Sequence, residues 1–503
     1  MDNRLLRALR LEPRNEAEDA PPTGVLTLEA PPGALGGGGQ SPPPFGLDPT
    51  GDFDLSVLEV EHVRALEEAL TEDPDTVLAS AAQFWDGDIT EGQLRGALEK
   101  TRLFLEKPAE ASLVLESSFA LESTVGMPPG WGFEGYDPVR LPISPMDTRF
   151  ETTADAVGYA TTWLAAKVAN AFKSKPAFPR HTPERSFVYD FPAAKTTLGV
   201  LGDFGNGLAH ARYIAKHLRA SHLDHLLYLG DVYYAGTSKE FAAHVGPEME
   251  PFLTGSVAGG KKVNVMMLNS NHEMFSKGHS YYSYLRYRLA KGAPQCQEGS
   301  YFALRFGDAF QIIAVDTDYF GYRKFRDPGQ MTWLRQRLAE GRSRGALNVL
   351  LTANEPFEYG QTGHTELSGD LKSFLPGVDL WLWGNTHYGA LFDRTEKMPV
   401  SGCLGHGGYP YKLSEQKLDK NPYLAPSPAT PLFLETRSRY DGTNLRPELG
   451  NNGYALMTLE PGAGPAQHRL RLDFMDWMKR PRYRAVVGRD GNGRFGVLEG
   501  VEV

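Results

Sequence analysis

Five short polar pieces carry the residue types that could do chemistry: Gly202-Asp203-Phe204-Gly205, Gly230-Asp231-Val232-Tyr233-Tyr234, Ser270-Asn271-His272-Glu273, Asn354-Glu355-Pro356 and Gly384-Asn385-Thr386-His387. Asp203, Asp231 and Asn271 offer oxygen ligands and His387 an imidazole. An aspartate placed between two cations can bridge them. Such a pair can stabilise the attacking and leaving oxygens of an in-line displacement and make hydroxide from bound water near neutral pH. That chemistry suits hydrolysis of a phosphate ester. His272, beside Asn271, offers an imidazole that can donate a proton to the leaving oxygen or to a phosphoryl oxygen.

Each piece follows a short apolar run of buried-strand type: Thr196–Leu201, Leu226–Leu229, Val263–Leu268, Val349–Thr352 and Leu380–Trp383. Ligands at successive strand ends converge, because open α/β sheets gather their sites outside the carboxyl ends of the strands. Taken singly, Asp203 reads equally as a turn or cap residue, Asn271 as a turn residue and His387 as a hydrogen-bonded core histidine. Their joint order at five strand ends is what makes a metal site the better reading.

The 503 residues exceed one ordinary core, so a large domain, a smaller one and tails are expected. A formal charge of −10 and a pI near 5.8 speak against generic nucleic-acid binding, whose footprint is basic. Cys296 and Cys403 stand far apart without metal-type spacing, which reads as two inert buried thiols. Residues 1–11 have no apolar core of a leader, and no uncharged apolar run reaches the length that spans a bilayer. The expectation is a soluble, cytoplasmic protein that does not engage a membrane.

Along the chain, residues 1–53 are rich in Pro and Gly and read as a disordered leader. Residues 54–125 carry helical periodicity and read as a small helical domain, a candidate surface for a protein partner by its position alone. Residues 126–194 form a connector with one helix over Thr152–Phe172, Lys175–Pro192 being irregular, and the chemistry-bearing core runs from 195 to 412. Within it strands alternate with helices over Leu208–Ala220, Ser238–Phe252, Gly329–Glu340 and Glu366–Phe374, and Ser300–Phe306 pairs with Phe310–Asp316 across Gly307-Asp308. Two packed sheets flanked by helices follow from that alternation. Residues 413–450 read as an insertion loop, and 451–503 as C-terminal hairpins that complete the core.

The order and separation of the five pieces resemble the calcineurin-like metallophosphoesterase superfamily, over roughly Lys195 to Pro410. Gly205, together with Tyr234 three residues after Asp231, is closer to the purple acid phosphatase variant of that pattern. The resemblance implies a four-layer α/β/β/α sandwich and a dinuclear site holding divalent metal ions (Mn, Fe, Zn or Mg). It implies Asp203, Asp231, Tyr234 and His387 at one metal, with Asp231 bridging to a second metal shared with Asn271 and positions 354 and 385. Gly405-His406-Gly407-Gly408 resembles the Gly-rich loop that follows the last histidine motif in related bacterial members, which implies His406 as a residue of the substrate pocket, and a plain turn is the equal alternative. His210, His279 and His364 are candidate substrate contacts or surface residues, and Glu273 a residue that orients its neighbours.

Asn354 and Asn385 stand where the resembled pattern has two histidines, and Ser270 where it has Gly. An amide binds metal only through a weakly basic carbonyl oxygen, which suits Mg, Ca or Mn better than Fe or Zn. Loss of even an outer partner costs about 10- to 100-fold in affinity or activity, so the second metal is weakened. Three accounts stay open: an enzyme with one tight and one weak metal, a natural pseudo-phosphatase that binds a phosphate ligand or a protein, and a variant inactivated by design. The expected function is metal-dependent hydrolysis of a phosphate mono- or diester by metal-bound hydroxide, with His272 as donor and the activity weakened.

Overall fold

The computed structural model describes residues 175–503 apart from 234, 237–239, 291–296, 415 and 441–444, together with single positions between 67 and 95. The leader, nearly all of the expected helical domain, the Thr152–Phe172 helix, Cys296 and Tyr234 therefore lie outside the described residues. In chain order the strands begin β1 (Val188–Phe191), β2 (Thr196–Leu201), β3 (His225–Tyr228), β4 (Asn264–Met267), β5 (Phe302–Phe306) and β6 (Phe310–Ala314). Next come β7 (Leu347–Thr352), β8 (Leu380–Trp383), β9 (Gly389–Phe392), β10 (Val400–Leu404), β11 (Pro431–Leu434) and β12 (Ser438–Tyr440). The last are β13 (Leu445–Gly450), β14 (Gly453–Glu460), β15 (Arg469–Asp476), β16 (Pro481–Arg489) and β17 (Phe495–Glu502). The helices used below are α1 (Ala209–Arg219), α2 (Gly246–Thr254), α3 (Asn271–Phe275), α4 (His279–Ala290), α5 (Pro328–Arg344) and α6 (Glu366–Leu371).

Two large mixed sheets make this an α/β fold. One has the order β1-β5-β6-β7-β8-β10-β9-β11, the other β17-β16-β15-β14-β2-β3-β4. In the first, β6, β7, β8 and β10 run parallel; in the second, β2, β3 and β4 do, and the C-terminal strands add an antiparallel meander. The period of two along each strand divides its side chains between two cores. Val349, Leu351, Leu380 and Leu382 meet Leu198, Val200, Leu227 and Met266 of the other sheet, while Leu350, Trp381 and Trp383 turn away to Trp333, Leu334 and Leu338 of α5. On the second sheet Leu226, Tyr228, Val265 and Met267 pack with Tyr213, Ile214 and Leu218 of α1 and with Met249 and Phe252 of α2. Each such fully buried side chain is worth about 1.5–3 kcal/mol, which fixes the register at the strand ends.

Local signals set the helix bounds. Asp327 caps α5 by accepting from Gln330 N at 2.7 Å, Pro328 opens its first turn, and Gly345 ends it at φ 77°. The stretch Ser238–Phe252, read as one helix, is a π-helical turn over Phe241–Val245 followed by α2. The aromatic stretch Tyr281–Leu289 lies inside α4. Val188–Phe191, within the stretch read as irregular, pairs parallel with β5, and its four residues are too short to show a period. Residues 413–450, read as an insertion loop, contain β11, an edge strand on β9 that starts at Pro431, where a missing N–H costs no ladder bond. No helix among the described residues is long and apolar enough to cross a membrane.

Candidate metal centre

The carboxyl ends of the two parallel groups approach each other so closely that glycine is needed on both sides. Gly202 N donates to Leu404 O at 2.8 Å and Gly407 N to Gly202 O at 2.9 Å, stitching β2 of one sheet to the end of β10 in the other. A Cβ on Gly202 would stand 3.2 Å from the Cα of Gly384, and one on Gly405 would stand 2.8 Å from Asp203 Oδ2. The Asp203 carboxylate, set after β2, thereby lies against the loop that follows β8.

Side chains re-enter this crevice because the backbone turns left-handed at the strand ends. Of nine described non-glycine residues with positive φ, four are Asp203 (57°), Asp231 (73°), Asn385 (66°) and His387 (55°). Such conformations cost on the order of 1–3 kcal/mol each and persist where the surroundings over-determine them, typically at functional sites. Here the compensation is visible: Asn385 N donates to Asp203 Oδ2 at 2.7 Å, and Asp203 N to Gly230 O at 3.0 Å.

The result is a cluster of ligand atoms from Asp203, Asp231 and His387, all within 4.8 Å of one another. His387 Nε2 lies 3.2 Å from Asp203 Oδ1. A fourth atom joins them, from a residue outside the expected ligand set. Tyr233 Oη stands 2.7 Å from Asp203 Oδ1, 3.3 Å from Asp231 Oδ2 and 3.0 Å from His387 Nε2. Ligands about 2.0–2.2 Å from a common cation are roughly 2.9–3.5 Å apart, and the separations from Tyr233 Oη and between His387 and Asp203, 2.7–3.3 Å, lie close to that spacing. Tyr233 adjoins Tyr234, the position the resemblance implies, which lies outside the described residues.

Burial makes the cluster costly as it stands. Asp203 and Asp231 are 0% and 1% exposed. Desolvation pushes the Asp203 carboxyl up to about 7, and Asp231 is raised by burial and then by Asp203 beside it. The Tyr233 phenol is held well above its ordinary value by burial and then by the same two carboxylates. A divalent cation reverses each of these penalties, and two carboxylates, an imidazole and a phenol are a suitable donor set for Mn, Fe or Zn. Asn271 fits as well, since its Oδ1 is buried without a hydrogen-bond partner.

Positions 354 and 385 differ. The Asn354 carbonyl accepts from Thr317 Oγ1 at 2.6 Å, and its buried Nδ2 has no partner. Asn385 Nδ2 donates to Glu355 Oε2 at 2.7 Å and to Tyr322 Oη at 3.2 Å. Glu355 is fully buried and ion-paired with Arg323, whose guanidinium lies 4.6 Å over the Tyr322 ring. The Asn354 carbonyl oxygen and the Asn385 amide nitrogen are thus engaged with the protein.

His272 is buried with its ring 4.4 Å from that of Tyr233. Ser270 caps α3 and its hydroxyl contacts both Asp231 and Glu273. Glu273 in turn accepts from Val232 N at 2.9 Å and from Ser270 N at 3.0 Å, so it orients the Asp231 loop. Tyr409 stacks on His387 at 4.1 Å. His406 is packed away from solvent between Gly389 and Gly453, where a Cβ would come within 2.5 and 2.7 Å of its Nε2, and burial alone lowers its pKa to about 3. His210 is buried against Trp477, His279 opens α4, and exposed His364 contacts Ser368.

No protein-family model matches the sequence, and no curated protein matches it. Among solved structures, the purple acid phosphatase PPD1 from yellow lupin (Lupinus luteus) seeds is similar at 12% identity, covering 60% of this chain and 56% of that one, with a TM-score of 0.39. GAP50, the anchor in the inner membrane complex of Plasmodium, is similar at 10% identity, covering 61% and 88%, with a TM-score of 0.35. The chain spans little more than half the length of the lupin protein. Likenesses at this level do not bear on what the site does.

Proposed function

We propose that the chain is a metal-dependent phosphoesterase in which Asp203, Asp231, His387 and Tyr233 hold a divalent cation, within a four-layer α/β/β/α arrangement. The observation that carries this reading is the close grouping of two buried carboxylates, an imidazole and a phenol at adjoining strand ends. When bound, such a cation polarises a phosphoryl oxygen and lowers the pKa of water. The chain's own contribution is positional: Asn385 N and the glycines at 384 and 405 fix Asp203, Ser270 and Glu273 fix the Asp231 loop, and His272 supplies a proton to the leaving oxygen.

The engaged amides at 354 and 385 favour a second reading, a binding module with little turnover. The test is hydrolysis of aryl phosphate mono- and diesters with Mn, run on the chain, on an Asn354→His plus Asn385→His double variant, and on Asp203→Asn. Turnover by the chain that Asp203→Asn abolishes supports the enzyme. Turnover by the double variant alone supports a phosphoesterase scaffold whose second metal has been weakened. Turnover that Asp203→Asn leaves intact refutes the site.

A further inference from the structure

Next to the four close donors, the described residues hold an unusual load of buried acid. Glu273 is satisfied by backbone donors, Asp316 accepts from Asp318 N and Tyr319 N at 2.9 Å each, and Glu355 has Arg323. Asp318 is the exception. It is 3% exposed, its Oδ1 has no hydrogen-bond partner, and its Oδ2 has only Thr317 Oγ1 at 3.3 Å. That hydroxyl carries one hydrogen, which is directed to Asn354 Oδ1 at 2.6 Å. Asp318 is therefore left with two unserved carboxylate oxygens in a closed space, a state that costs several kcal/mol unless a cation or a proton answers it.

Its position shows which cation. Asp318 follows the end of β6, and Asp316 ties it to the loop after β4 that carries Asn271, accepting from Asn269 Nδ2 at 3.1 Å and from Asp318 N at 2.9 Å. Its carboxyl also feels the charges of Asp231 and Glu273. Asn271 brings a second buried oxygen without a partner. We infer that Asp318 supplies the carboxylate of a second, all-oxygen cation site with Asp231 and Asn271, taking over from the imidazoles that positions 354 and 385 lack. Oxygen donors alone select a hard cation, Mn, Mg or Ca, over Zn. The inference rests on the proposed centre at Asp203, Asp231 and His387.

The experiment counts manganese on the metal-free full chain by equilibrium dialysis and follows spin coupling by electron paramagnetic resonance. The chain is expected to bind one tight and one weaker manganese, coupled to each other. Asp318→Asn keeps the tight one, weakens the other by about tenfold or more, and loses the coupling. Without metal, the same variant should melt at or above the temperature of the parent, which excludes misfolding as the cause. Two cations of unchanged affinity in Asp318→Asn, or a single uncoupled manganese on the parent chain, overturn the inference alone. A parent that binds no manganese, or a tight manganese that survives Asp203→Asn, overturns the centre itself and the inference with it.

Discussion

Tyr233→Phe removes one oxygen and nothing else from the candidate centre, and its effects with and without metal can be worked out separately. Without metal, the hydroxyl donates to a buried carboxylate, Asp203 Oδ1, at 2.7 Å. A hydrogen bond to a charged group is worth about 1.5–3 kcal/mol, so the metal-free variant should melt a few degrees lower. With metal, the same oxygen is one of four donors at coordination spacing. Its loss should weaken binding by at least the roughly 10- to 100-fold that an outer partner costs, about 1.4–2.7 kcal/mol. A sign in pH follows too. The buried phenol sits well above its ordinary value, so ligation must release its proton, and the affinity of the parent should climb faster with pH than that of Tyr233→Phe. Titration calorimetry with Mn at two pH values, run beside Tyr234→Phe, is the assay. Unchanged or tighter binding by Tyr233→Phe would show that the hydroxyl only fills the metal's place, and weakening by Tyr234→Phe instead would return the role to the position the family resemblance implied.

Two further outcomes are expected. Burial raises Asp203 and Glu355 to about 7 and raises Asp231 as well; a carboxyl whose folded pKa exceeds its unfolded value stabilises at low pH and loses that contribution as pH climbs through 7. The melting temperature of metal-free protein should therefore fall between pH 6 and 8, and saturating Mn should remove the part due to Asp203 and Asp231 and leave that of Glu355; a flat profile without metal would contradict the buried-acid account. Gly405→Ala sets a methyl 2.8 Å from Asp203 Oδ2 and 2.9 Å from the Gly384 carbonyl carbon, which should cost about 1–3 kcal/mol and weaken Mn binding, whereas Gly491→Ala, with nothing within 4 Å, should change neither in a thermal melt or a titration.

Much of the scaffold is written in local pattern. Thr196–Leu201 is an apolar run bounded by polar punctuation and is a strand to the residue, Val349–Thr352 lies within the strand Leu347–Thr352, and the Phe302–Phe306 and Phe310–Ala314 pair turns at the expected Gly307-Asp308. Elements that rely on a partner were harder to read. Val188–Phe191 and Pro431–Leu434 have no period of their own and are strands because an edge of the larger sheet offers them hydrogen bonds.

The same division runs through the site. Sequence by itself determined that Asp203, Asp231, Asn271, Asn354, Asn385 and His387 stand just beyond strand ends, because an apolar run followed by Gly, Asp or Asn is a local fact of the chain. Tertiary structure decided which of them meet. Left-handed backbone at Asp203, Asp231 and His387 and glycine contacts between β2 and the loops after β8 and β10 bring three ligands together, while Thr317 and Glu355 engage the two amides. It also chose Tyr233 as the phenol at the cluster and left Asp318 unserved, since both depend on distances between residues far apart in the chain, which no spacing along it encodes.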